Sequence, residues 1–169
     1  LSLFSGPYRR PGGLKQKLLS YGWSEVRQID SDPVTGGGWI DILRNDSNYT
    51  ELCRSAGAGA WDGVMLAPDC STYSASRFWD ASDGNPAGDR GPMPVRSRSF
   101  PDGLPAGELS PSGAKELRFA NMIADRAFTI ARLAHNSLSK ATIVLEHPAD
   151  RTDKRTNAYM ADLPEHGSI

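Results

Sequence analysis

The stretch from Ser110 to Leu145 constrains the fold of this chain more than any other. Small or apolar residues at positions 117, 120, 123, 124, 127, 131, 134 and 138 trace one helical face, while Arg118, Asn121, Asp125, Thr129, Arg132 and Asn136 recur on the other. Ser110 and Pro111 suit the N-cap and first helical position: the hydroxyl can accept from a free amide of the first turn, and proline has no amide there to leave unsatisfied. After the helix, Ala141-Thr142-Ile143-Val144-Leu145 reads as a buried strand that ends at Glu146-His147-Pro148. A one-faced helix feeding an apolar strand must cover a sheet, so the chain is α/β.

The rest of the chain repeats this alternation. Leu1 to Phe4 is a short apolar strand, followed by a Ser5-Gly6-Pro7 turn, by Arg9-Arg10-Pro11-Gly12-Gly13, and then by Leu14, Leu18 and Leu19 at helical spacing. Glu25 to Asp30 alternates as a strand and is stopped by Pro33. Gly36-Gly37-Gly38 is a connector, Trp39 to Leu43 a short strand or strand end, and Ser47 to Ser55 a helix capped by Asp46 or Ser47. Gly63 to Ala67 is a buried strand stopped by Pro68. Between Trp79 and Ser110 five Gly and five Pro fall within 32 residues, too many for a continuous element. A loop of that length in a compact domain is functional or disordered. Strands alternating with helices predict a mostly parallel sheet with helices on both faces, and ligands bound at the carboxyl ends of the strands.

Composition narrows the function classes. The 169 residues suit one domain, and 17 Gly with 12 Pro exceed the usual share of about 12%. Charges of 19 Lys and Arg against 20 Asp and Glu leave a net of -1, so a polyanion must be held by a local patch rather than by an overall field. Two cysteines and three histidines, with no CxxC and no paired His spacing, exclude a disulfide scaffold and leave no zinc motif. A reducing, intracellular compartment, nucleus or cytoplasm, is expected. No apolar run is long enough for a membrane span, and no charged segment followed by a hydrophobic one marks a signal peptide. A start at Leu1 in an apolar run and a close on Glu165-His166-Gly167-Ser168-Ile169 suggest a piece of a longer chain.

Function is then sought just past each strand. After the first, Phe4-Ser5-Gly6-Pro7 and Gly12-Gly13 allow the backbone to approach a ligand at a helix start. After the second, Asp30 stands where a carboxylate can accept both hydroxyl hydrogens of a ribose. Together these suggest an adenosine-type cofactor, although the spacing is not that of a dinucleotide fingerprint. The strand ending at Pro68 delivers Asp69-Cys70-Ser71-Thr72-Tyr73-Ser74. A cysteine there is either a nucleophile facing a substrate enclosed by the following loop, or a small buried hydrophobe. The last strand delivers Glu146, either a partly desolvated acid suited to protonating a ring nitrogen, or a turn-capping or ion-paired carboxylate. On the long loop, Arg96 and Arg98, near Arg90 and Phe100, either meet phosphates or are merely solvated. Trp23, Trp39, Trp61, Cys53 and His135 are read as packing or core-edge residues.

These residues carry a resemblance. Leu3-Phe4-Ser5-Gly6, an acid after the second strand, Asp41-Ile42, Pro68-Asp69-Cys70-Ser71 with Tyr73-Ser74, and Glu146-His147-Pro148 stand in the order of the motifs of the C5-cytosine DNA methyltransferase family. The resemblance covers essentially the whole chain as a single Rossmann-like, S-adenosylmethionine-dependent methyltransferase domain, with the C-terminal target-recognition part of the family absent. It implies that Phe4, Ser5, Gly6, Asp30, Asp41, Ile42 and Pro68 hold S-adenosylmethionine. It also implies that Cys70 attacks C6 of a cytosine flipped out of the stack while Glu146 engages N3. DNA, or RNA, is the implied partner, with Ser74, Arg96 and Arg98 on its side. Departures are visible: Asp69 stands where the family has Pro and adds a negative charge that disfavours a thiolate, Ser71 replaces Gln, and His147 replaces Asn. A non-catalytic relative that binds cofactor or nucleic acid is the first alternative, and a small-molecule methyltransferase with a structural Cys70 the second.

Overall fold

The structure is a computed structural model that describes residues 1–4, 12–30, 42, 46–73, 93–97 and 99–146. In chain order its elements are β1 (Ser2–Leu3), α1 (Leu14–Ser20), β2 (Gln28–Ile29), α2 (Asp46–Gly57), β3 (Gly63–Leu66), α3 (Pro111–Asn136) and β4 (Thr142–Leu145). All strand pairs are parallel and the sheet order is β2-β1-β3-β4. The chain divides into two compact units, Leu1–Pro68 with Met122–Glu146, and Asp69–Asn121 with His147–Ile169.

The first unit holds the sheet. Its register sets Leu3 level with Ile29 on one side and with Leu66 on the other, and Leu66 level with Leu145. Side chains alternate across a sheet, so Leu3, Ile29, Val64 and Leu66 share one face. That face packs on Leu52 and Ala56 of α2 and on Ala127, Ile130, Ala131 and Ala134 of α3, with Ile42 and Ala141 completing the core. On the opposite face the side of Gly63 is met by the indole of Trp23, which a Cβ there would approach to 3.2 Å. No residue of α1 is buried. Covering of both faces by helices was expected; α2 and α3 bury the first face, and on the second the Trp23 indole meets β3 while Ser2 of β1 is 3% exposed.

Two helices stop by the same device. Gly22 and Gly59 take left-handed conformations, with φ of 93° and 77°, one position past the C-caps of α1 and α2. Their amides donate to Leu19 and Ala56, and the next amides, of Trp23 and Ala60, donate to Leu18 and Ser55. This pairing satisfies carbonyls that the last turn leaves open, and glycine adopts the conformation without a Cβ clash.

Helix α3 starts where the sequence places it: the Ser110 hydroxyl accepts from the Gly113 amide at 3.1 Å. Of its expected apolar stripe Leu117, Ala120, Ala127, Ala131 and Ala134 are buried and Ile123 and Ala124 half-buried, while Ile130, which the periodicity left off the stripe, is fully buried. Leu138, expected on that stripe, is fully exposed, because the helix ends at Asn136 and the following turn leaves the helical axis. Two strand expectations need revision. The second strand pairs only over Gln28–Ile29 rather than from Glu25. The last strand is not buried: among the described residues β4 pairs with β3 alone, and Val144 and Leu145 are 52% and 42% exposed. An edge position, not composition, decides this.

The second unit is built around a short segment that follows Pro68. Ser71–Tyr73 forms one 3-10 turn, and Ser97 and Phe100 bridge each other across a tight turn. Its buried residues include Thr72, Val95, Arg96, Leu117 and Ala120. The described part of the long loop holds only that bridge and a 3-10 turn at Ala106–Glu108, in keeping with its Gly and Pro content. Among the described residues no helix is long and apolar enough to cross a membrane.

Candidate functional site

Parallel strands bring all their carboxyl ends to one edge of the sheet. Because Leu3, Ile29, Leu66 and Leu145 are level, the residues that follow them line that edge: Phe4 after β1, Asp30 after β2, Ala67 and Pro68 after β3, and Glu146 after β4. Neighbouring strands are roughly 4.8 Å apart, so Phe4 lies between Asp30 and Ala67, with Glu146 one strand further on. The ladder continues just past each strand: the Phe4 amide donates to Ile29 at 2.7 Å, the Ala67 amide to Leu3 at 3.3 Å and the Glu146 amide to Leu66 at 2.8 Å. The strand order reverses direction between β1 and β3, and in open parallel sheets the chains leaving such a junction diverge, which favours a crevice.

Phe4 turns out of β1 with φ of 61°. For a bulky side chain this left-handed conformation is strained, and such strain persists only where the surrounding structure enforces it. Here the Phe4 amide is tied to β2 and the ring rests half-buried on the core. Asp30 is half-buried and has a polar partner. Glu146 is exposed rather than sunk in a pocket. Ser5, Gly6, Asp41, Ser74 and Arg98 lie outside the described residues.

Ile42 is 3% exposed and belongs to the core. Its position is held by a residue that sequence reasoning passed over. Arg126, on α3, donates to the Ile42 carbonyl and at 2.6 Å to the Asp46 carboxylate, and its guanidinium lies 4.6 Å from the centre of the Tyr49 ring. The start of α2 and the residue ahead of it are thereby tied to α3 by one planar group. Burial pushes the Tyr49 phenol above its ordinary value, with hydrogen bonds to Thr129 and Cys53 acting in opposite directions. The only hint in the sequence was a basic residue next to an apolar stripe.

In the second unit Cys70 is exposed, which removes the reading of it as a buried packing residue. Its carbonyl accepts from the Tyr73 amide at 2.9 Å. Asp69 reaches past it: one carboxylate oxygen accepts from the Ser71 amide at 2.9 Å and the other from the Ser71 hydroxyl at 3.1 Å. Arg96 is not on the surface where a phosphate would meet it. It is 4% exposed, and its guanidinium donates to the Thr72 hydroxyl at 3.1 Å, the Pro101 carbonyl at 2.7 Å and the Asn121 side-chain carbonyl at 2.6 Å. The reading of Arg96 as a phosphate contact is therefore corrected: the fold supplies it with acceptors from three segments, and five fixed donors favour such a cage.

Among the described residues no group of three His, Cys, Asp or Glu side chains is placed to hold a metal ion. An open hollow of about 560 Å³ is lined by Asp125, Phe128, Thr129, Ala131, Arg132, His135 and Ile143, and takes in none of the strand-end residues. The chain matches no protein-family model, no curated protein and no solved structure.

Proposed function

We propose that the chain is the Rossmann-like, S-adenosylmethionine-binding part of a methyltransferase of the cytosine-C5 type. The observation that carries this reading is the sheet edge, where Phe4, Asp30, Pro68 and Glu146 follow level strands on both sides of the reversal in strand order. The strained turn at Phe4 and the carboxylate of Asp30 fit an adenosine ligand: the first turns the backbone sharply at the crevice, and the second can accept ribose hydroxyls. Ser5, Gly6, Asp41 and Pro68 complete the proposed cofactor set. When bound, the sulfonium supplies an electrophilic methyl group. Nucleic acid, with the target base flipped out, is the proposed substrate, and Ser74 and Arg98 are its proposed contacts.

In this reading the Cys70 thiol loses its proton to solvent and its sulfur bonds to C6 of the cytosine. The C5–C6 electron pair moves to C5 while Glu146 shares a proton with N3, so no full negative charge develops on the ring. The C5 electron pair takes the methyl group from the bound sulfonium, which leaves as the neutral thioether, after which C5 releases its own proton to water. The Cys70–C6 bond breaks with that pair and the aromatic ring is restored. The exposure of Cys70 supports this role.

A second reading, a relative that binds without methyl transfer, is favoured by Asp69, which precedes Cys70 in the chain and whose carboxylate is held on Ser71. Trapping separates the two. Duplex or single-stranded DNA containing 5-fluorocytosine, given with S-adenosylmethionine, is expected to form a covalent adduct with the protein, and Cys70→Ser to form none. Cofactor binding with no adduct on the unmodified protein overturns the catalytic reading, and cofactor binding with no affinity for DNA points to a small-molecule substrate.

A further inference from the structure

We infer that Arg96 is a positioning residue for Cys70: it locks the turn that carries the thiol, and it makes no contact with nucleic acid. This rests on the catalytic reading for the role of Cys70, but its geometry is independent of it. Three observations meet at one side chain. The guanidinium stacks 4.0 Å from the centre of the Tyr73 ring and donates to the Thr72 hydroxyl, so it grips two consecutive residues of the turn that begins at Ser71. Tyr73 is in turn bonded through its amide to the carbonyl of Cys70. The other two donors reach the Pro101 carbonyl and the Asn121 side chain.

These last anchors are themselves fixed. The Asn121 side-chain Nδ2 donates to the Asp102 carbonyl at 2.8 Å, and Asn121 belongs to α3. Residues 97 and 100 bridge each other, and the Leu104 amide donates to the Val95 carbonyl at 2.9 Å, so the segment that bears Arg96 is closed on itself. Thr72, 3% exposed, is buried with the guanidinium. A loop leaving a strand has no ladder to hold it, and a nucleophile on such a loop is useful only if its direction is fixed. Arg96 supplies that fixation by joining the turn to a helix. Lysine cannot do the same, because it offers a point charge where three acceptors and a ring require a planar fork.

The test compares Arg96→Lys and Arg96→Gln with the unmodified protein in a Cys53→Ser background. Hydrogen exchange at the Thr72 and Tyr73 amides is expected to speed up about tenfold or more in both variants, the scale of one lost hydrogen bond to a charged group. With 5-fluorocytosine DNA, adduct formation at saturating cofactor is expected to slow by a similar factor in both, with cofactor affinity unchanged. The dependence of DNA affinity on salt is expected to stay the same for Arg96→Gln, since a lost phosphate contact lowers that slope by about one. Unchanged exchange at these amides in a folded variant, rescue by Arg96→Lys, or a lowered salt slope overturns the inference. If the Arg96 variants do not fold, Thr72→Val removes only the hydroxyl acceptor and must still speed exchange at Tyr73. Absence of an adduct with the unmodified protein defeats the catalytic reading, while the exchange measurement still decides the role of Arg96.

Discussion

Single residues show how much a side chain's role depends on what surrounds it. Arg96 and Arg126 each have one apolar and one polar neighbour in sequence, and each ends as a clamp whose planar donors join separate segments. Phe4 is strained at the point where β1 gives way to the proposed cofactor turn, and Lys140, with φ of 47°, is the other non-glycine in that conformation among the described residues. Tyr49 makes a pH-dependent contribution. Its folded pKa is raised above the ordinary 10.0, chiefly by burial, so as pH rises through that value the unfolded chain loses the phenol proton first. The stability that Tyr49 lends is whole below that pH and is lost as pH climbs toward the folded value. Denaturation midpoints measured from pH 8 upward are expected to fall more steeply for the unmodified protein than for Tyr49→Phe, and parallel curves would contradict the assignment.

Elements were legible to the extent that they are local. The α3 stripe and its Ser110 cap depend on residues within a turn or two of one another, and periodicity with punctuation reveals such features. β4 shows the opposite case. Its run of Thr142 to Leu145 is as apolar as that of β3, yet Leu66 is 0% exposed and its level neighbour Leu145 42%, because among the described residues β3 has a strand on each side and β4 has one; Val144, on the face opposite to that of Val64, is 52% exposed and Val64 1%. Val64→Thr is therefore expected to cost about 1–3 kcal/mol through a hydroxyl left in the core, and Val144→Thr less than about 0.5 kcal/mol. Chemical denaturation of both variants decides it, and equal losses would remove β4 from the edge.

At the scale of the whole molecule, the consequence of the fold is the alignment of four strand ends along one edge of the first unit. The proposed cofactor site follows from that alignment, and Asp30 is its most direct probe. Calorimetry with S-adenosylhomocysteine is expected to show binding to the unmodified protein and a loss of about tenfold or more for Asp30→Ala, as for hydrogen bonds to a charged acceptor. Equal affinity in the variant would take Asp30 out of the site, and no binding to either would leave the sheet edge without its proposed ligand. The candidate site was only partly legible in sequence: residues directly after strands could be named, since a strand's end places its successor, but which of them are covered could not.

By itself the sequence determined the α/β class, the succession of strands and helices, and the candidates at strand ends, all through patterns of spacing that act over a few residues. Tertiary structure alone decided the strand order β2-β1-β3-β4, the exposure of β4 and the inward course of Arg96. The physical reason is separation along the chain: Arg96 finds two of its acceptors 24 and 25 residues away, and Arg126 finds its own more than 80 away at Ile42. A donor's direction is set by the acceptors that the fold brings to it, and no local pattern contains them.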